Sequence, residues 1–150
     1  MNTVTVQEAD FDVGAEVAAL SAGDVDAGAV ASFVGLVRQD KHDGAVVAMT
    51  LEHYPGMTEQ ALAGIVDQAR ARWQIRNVRV IHRVGKLLPG ERIVLVAVAS
   101  AHRHDAFAAC GFIMDYLKTR APFWKKEETP AGARWVDARE SDDRAADRWK

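Results

Sequence analysis

The 150-residue sequence contains one cysteine, Cys110, which excludes an internal disulfide and the usual four-ligand cysteine zinc site. No run approaches the roughly 18 consecutive apolar residues of a membrane-spanning helix. The opening MNTVTVQEADFD lacks the basic and apolar blocks of a secretory signal. A soluble protein of a reducing cytoplasm, without membrane contact, is the expectation. A basic excess is missing as well: the formal net charge is −2, which argues against a general nucleic-acid binder. There is no internal repeat, no low-complexity stretch and no linker long enough to divide the chain into domains. A Walker loop, a dinucleotide glycine fingerprint and a Gly-x-Ser-x-Gly elbow are also lacking.

What is present suffices for one domain over residues 1–150, because 49% hydrophobic residues supply a core. Charge is unevenly placed. From Met1 to Val30 every charged side chain is acidic, whereas the stretch from Arg38 to Lys126 is rich in Lys, Arg and His. Local cation density in a near-neutral chain suits a small anionic ligand better than a long polyanion.

Periodicity predicts a strand at Val4–Val6 and a short helix through Val17 and Leu20, capped by Asp12 and closed by Gly23. The β-rich run from Ala29 to Arg38 and a strand from Val46 to Glu52 are expected to pair as a hairpin around a polar loop over 39–45. Thr58 is expected to cap a helix from Glu59 to Trp73, with Leu62, Ile65, Val66 and Ala69 inward. Alternating Val78, Val80, His82 and Val84 predict a strand, and Ile93 to Ala99 predicts one buried on both faces. A second helix is expected from Arg103 to Arg120, with Ala106, Phe107, Cys110, Ile113, Met114 and Leu117 as its apolar stripe. Ala121-Pro122 should stop it. Strands at Phe123–Glu127 and Arg134–Val136 and a terminal helix within Ala138–Lys150 complete an α+β sandwich.

Cations fall at element ends, where side chains reach a cleft. Arg38 ends the Ala29 strand, His102 and Arg103 open the second helix, Lys118 lies in its last turn, and Lys125 follows the proline break. A helix start offers free N–H groups and positive potential, and an arginine beside it can grip a phosphate or carboxylate. A solvated helix start explains the same residues, and spacing alone favours that reading. His104 completes a His-Arg-His triplet, but alternate residues there diverge and no ligand set accompanies them, so no metal is expected. Lys118 either snorkels to water or, if desolvated near Arg38 and Arg103, becomes a base or nucleophile. In a strand, Phe123 and Lys125 face one way and Trp124 and Lys126 the other; a lysine-protected edge strand is the plain alternative. Cys110 and His82 read as interior residues.

The segments SFVGLVR (32–38), LEHYPGMTEQAL (51–62), VIHRVGKLLPGE (80–91), SAHRHDAF (100–107), FIMDYLKTRAPFWKKE (112–127) and RWVDARESD (134–142) resemble the large, catalytic subunit of bacterial molybdopterin synthase, in order and over nearly the whole chain. The resemblance implies an α/β hammerhead-like domain with an additional antiparallel β-sheet, and a homodimer at the centre of a heterotetramer. It implies a partner, a small ubiquitin-like sulfur carrier whose C-terminal Gly-Gly thiocarboxylate gives sulfur to cyclic pyranopterin monophosphate. The product is the dithiolene of molybdopterin, an intermediate of molybdenum cofactor biosynthesis, and no metal or organic cofactor is required. Lys118 and Lys125 are implied to be catalytic. Arg38, His102 and Arg103 would bind substrate together with Arg139 from the neighbouring protomer, and Phe33 and Met114 would pack beside the tail. Positions 38, 102–103, 118 and 125 are therefore expected to converge on one positive cavity. A module that docks such a tail without chemistry, and an unrelated phosphate-handling enzyme, are the rival readings.

Overall fold

The apolar run at 93–99 lies at the centre of the structure as strand β6 (Arg92–Ser100), buried from Val94 to Ser100. The computed structural model describes residues 3–39, 47–130, 132–136 and 140–150, with the side chains of 140–142 outside the description. Around β6 the chain forms β1 (Val4–Gln7), α1 (Val13–Ser21), β2 (Ala29–Leu36), β3 (Ala48–His53), α2 (Met57–Arg72), β4 (Asn77–Arg83) and β5 (Gly85–Leu87). After β6 come α3 (Arg103–Arg120), β7 (Phe123–Thr129), β8 (Gly132–Val136) and α4 (Glu140–Asp147).

Two four-stranded sheets result, in the orders β1-β4-β6-β2 and β5-β3-β7-β8. Among the described residues only β1 and β4 run parallel, and the other pairings are antiparallel. Because side chains alternate across a strand, β6 feeds two cores. Leu95, Ala97 and Ala99 join Phe11, Leu20 and Ile81 under α1. Val94, Val96 and Val98 join Leu62, Ile65 and Val66 of α2 and Phe112 and Ile113 of α3. A smaller cluster of Val37, Met49, Leu51 and Leu87, packed on Ile93, ties the second sheet to the first. The expected α+β architecture with an added antiparallel sheet is what forms.

Four local expectations are corrected. Strands β2 and β3 are not a hairpin: β2 pairs with β6, and β3 with β5 and β7. The apolar face of β3 at Met49 and Leu51 is buried against Leu87, which belongs to the short strand β5 that periodicity did not reveal. Gly56, at φ +85°, precedes α2, and Thr58 lies within the first turn. Phe107 is 68% exposed, because α3 turns Ala109, Phe112 and Tyr116 inward to meet its neighbours. Finally, β7 is an interior strand between β3 and β8, so its lysines guard no edge.

The C-terminus is fastened to α3 by rings and one carboxylate. Trp149 packs edge-on to Trp73 and Phe112, with centroids 5.4 and 5.7 Å away. Its indole N–H donates to Asp115 at 2.6 Å, and Arg148 donates to the same oxygen at 2.8 Å. Asp115→Ala would strand that indole donor and should cost about 1–3 kcal/mol, read as a lower urea midpoint at unchanged slope.

Candidate active site at one end of helix α3

Helix α3 sets the geometry of the cationic residues. Its extended N-cap residue, His102, follows β6, and its last turn holds Lys118 and Arg120. Cys110 Sγ meets the Val96 carbonyl at 3.6 Å, so the helix runs back along β6 from Ser100 toward Arg92. Arg103 and Lys118 lie at opposite ends of this helix, separated by about 22 Å along its axis. His102 and Arg103 are both exposed at the far end. Within one chain the two sets of cations do not meet, and the expectation of a single cavity built from 38, 102–103, 118 and 125 fails in that form.

Three of the cations lie on segments that meet at one end of α3. Strand β2 runs antiparallel to β6, placing Ala29 opposite Ser100 and Leu36 opposite Arg92. Arg38 therefore leaves the sheet at the Lys118 end, just after Val37, whose N–H donates to Glu91. Val37 shares a cluster with Leu51, and Leu51 is the register partner of Lys125. Lys118 is tied to the same place through His82, which lies opposite Val94 and is shifted in part by the Lys118 charge. Lys125 follows Phe123 by two residues, and the Phe123 ring stacks on His82 with centroids 3.9 Å apart.

The two residues implied to flank a peptide tail lie on the elements that carry Arg38 and Lys118. Met114 lies one turn before Lys118 and is buried. Phe33 lies on the edge strand β2, opposite Val96, and is 43% exposed. Gly35 keeps that surface open: a Cβ there would come within 2.7 Å of Val94 Cγ1 and 3.4 Å of Phe33 Cε1. Arg139 lies outside the described residues, as does most of the loop after Gln39.

Two further groups were not singled out from sequence. Glu127 is 6% exposed and stands between Lys125 Nζ, at 3.5 Å, and Arg134, at 3.4 Å. Strand alternation from Phe123 and Lys125 would have put it on the same face. His53, the register partner of Phe123, is the other, and its charge also acts on His82. Lys126 faces the opposite side with Trp124, its ammonium 5.9 Å from the Trp135 ring. Cys110 is buried among apolar neighbours, and burial pushes its thiol up to about 11, which leaves it without thiolate character near neutrality. Among the described residues no three His, Cys, Asp or Glu side chains group as metal ligands, and no helix is long and apolar enough to cross a membrane.

Comparison with known proteins settles the family. A family model described as MoaE protein matches residues 6–120. The chain belongs to the MoaE family. A protein of Ralstonia nicotianae named molybdopterin synthase catalytic subunit is 66% identical over 149 residues, covering 99% of this chain and 85% of that protein. The protein of that name in Escherichia coli K12 is 60% identical, with 97% of each chain covered. Among solved structures, the molybdopterin biosynthesis MoaE protein from Burkholderia ambifaria superposes with a TM-score of 0.84 at 58% identity, covering 99% of this chain and 98% of that one. The MoaE fold thus accounts for both sheets, and this family member is an enzyme subunit.

His82 gives this region of the molecule a pH signature. Burial, and then the Lys118 and His53 charges, push it down to about 4. The unfolded chain takes up a proton near 6.5 and the folded chain does not, so stability falls as pH drops through that window. The expected loss is about 3 kcal/mol between pH 6.5 and 4, measured by urea unfolding at a series of pH values. His82→Phe should flatten the slope, and an unchanged slope would assign it to other groups.

Proposed function

We propose that the Lys118 end of α3 is the sulfur-transfer centre of a cytoplasmic molybdopterin synthase. What supports this is that the segments carrying Arg38, Lys118 and Lys125 meet around the stacked His82 and Phe123 rings, with Phe33 half-exposed on β2. Both proposed reactants are anions, a cyclic pterin phosphate and the thiocarboxylate tail of a small ubiquitin-like carrier. Bringing them together needs positive charge at their meeting point. Lys118 is assigned to the tail's terminal carbonyl, stabilising the developing oxyanion or moving a proton, and Lys125 to the pterin side. In each transfer the tail's sulfur forms a carbon–sulfur bond to the pterin side chain in place of a carbon–oxygen bond there, and the tail's acyl carbon exchanges its sulfur for oxygen from the displaced group or from water. The tail leaves as a carboxylate, and two transfers complete the dithiolene. Sulfur arrives on the partner, so the reaction calls for neither metal nor organic cofactor. Glycines at the tail's end suit a passage flanked by Phe33 and Met114.

The span of about 22 Å between the two ends of α3 supports assigning His102 and Arg103, with Arg139, to a second copy's lysine site. A homodimer with one small carrier per chain, a heterotetramer, is the assembly that follows. Mixing supplies the test. Lys118→Ala and Arg103→Ala chains, each inactive alone, should recover about a quarter of wild-type activity after subunit exchange, since half the dimers are mixed and hold one intact site. No recovery would restrict the site to one chain.

Reconstitution tests the reaction itself. This chain, the thiocarboxylated carrier and the pterin precursor should yield dithiolene, and Lys118→Ala should lower turnover by about a hundredfold or more. Tail binding without product would make the chain a docking module. Product formed without the carrier would make it a different phosphate-handling enzyme. Full turnover by Lys118→Ala would remove that residue from catalysis.

A further inference from the structure

Lys118 and Lys125 sit on different elements, joined by the corner Ala121-Pro122-Phe123. A proline corner at a helix end has few bonds of its own: Pro122 carries no N–H, and the Phe123 N–H turns back to the Ala121 carbonyl at 2.9 Å. Two buried groups from distant segments of the chain hold it. The Thr58 hydroxyl, fully buried in the first turn of α2, donates to the Pro122 carbonyl at 3.0 Å and accepts from the Tyr54 N–H at 3.1 Å. The His82 ring, buried at the end of β4, lies nearly parallel to the Phe123 ring at 22°. A carbonyl can only accept, so the 2.8 Å contact of His82 Nδ1 with the Arg83 carbonyl puts the proton on Nδ1 and fixes the ring plane.

Neither residue is what packing alone calls for. Valine would fill the Thr58 site, and His82 replaces the next apolar member of the series Val78, Val80. Resting on the assignment of Lys118 and Lys125 above, we propose that Thr58 and His82 are positioning residues, clamping the 121–123 corner so that the two lysines keep a fixed separation. The charged or titratable groups acting on His82 are Lys118 from α3 and His53 from β3. A neutral ring here supports Phe123 without adding a further cation beside the lysines.

The test is steady-state kinetics with the full chain, the thiocarboxylated carrier and the pterin precursor. Thr58→Val keeps the volume and loses the bond to Pro122. It should lower kcat about tenfold or more, as expected when reacting groups move by a fraction of an ångström, with KM for the carrier changed less than about threefold. Thr58→Ser retains the hydroxyl and should restore at least half of wild-type kcat. Unchanged kcat in Thr58→Val, or an equal fall in Thr58→Ser, would overturn the clamp. A wild-type chain that forms no product would instead reject the sulfur-transfer reading. One measurement needs no variant. In nitrogen-15 spectra of the wild-type chain at pH 6, His82 should show a protonated Nδ1, an unprotonated Nε2 and ring protons shifted upfield by Phe123. A His82 ring that is cationic at pH 6, or lacks the upfield shift, would also overturn the proposal.

Discussion

Helix α3 lies on β6 and β2 with its start above Ser100 and its end toward Arg92, and that antiparallel placement governs where chemistry can occur. A helix is a rigid spacer, rising about 1.5 Å per residue, so the two cationic groups it carries cannot share a pocket by any side-chain rearrangement. The end it does complete is built from three directions. The edge strand β2 delivers Phe33 and Arg38, the last turn of α3 delivers Lys118, and β7 of the second sheet delivers Lys125. Had α3 run parallel to β6, Lys118 would have been carried to the other end of the sheet.

The uneven charge of the sequence is resolved by this arrangement. The acids of the N-terminal segment are engaged mainly by arginines of the first sheet and the residues leading into it. Asp10 meets Arg92 at 2.6 Å, Asp24 meets Arg76 at 2.6 Å, and Glu16 meets Arg79 at 3.1 Å. The hydrogen bond from Arg92 holds Asp10 below the usual carboxylate range, and that from Arg76 does the same for Asp24. Both pairs are exposed and add little to stability. Their effect is on the field, since the arginines they neutralise no longer compete for an anion. Positive charge on the α3 side is treated differently. Lys125 is bound to a buried acid, Glu127, which also faces Arg134, so its ammonium is oriented as well as balanced.

Much of the fold is legible in the sequence, because its strongest signals report burial directly. The run at 93–99 could only be a strand covered on both faces, and the stop at Ala121-Pro122 follows from the geometry of proline. Partnering was less legible. Nothing local in Ala29–Leu36 says that it prefers β6 to its chain neighbour β3; that choice is made by the apolar faces of β6, which need covering along their whole length. Phe107 misled because a stripe counted at helical spacing fixes the periodicity of a buried face and not its rotation, which α2 and α4 decide. For the site, residue types and their positions at element ends pointed to an anion, but convergence is a property of topology. Periodicity alone could not place Arg103 and Lys118 at opposite ends of one sheet. Reading the helix length through would have done so.

Charge explains why such a site belongs at a junction of elements and not within one. Two anions about 4 Å apart repel by about 4 kcal/mol at the effective dielectric of a protein surface, and the proposed reaction brings a thiocarboxylate about that close to an anionic pterin. Offsetting that repulsion takes more than one cation, disposed around the meeting point instead of along a line. A single helix presents cations only in a row on one face, and a single strand only alternately on two. In the proposed site, Arg38 comes from a strand end, Lys118 from a helix end and Lys125 from a second sheet, sources that no one element could combine. The corner between α3 and β7 joins two of the three elements that carry these cations, so its conformation sets the spacing of Lys118 and Lys125.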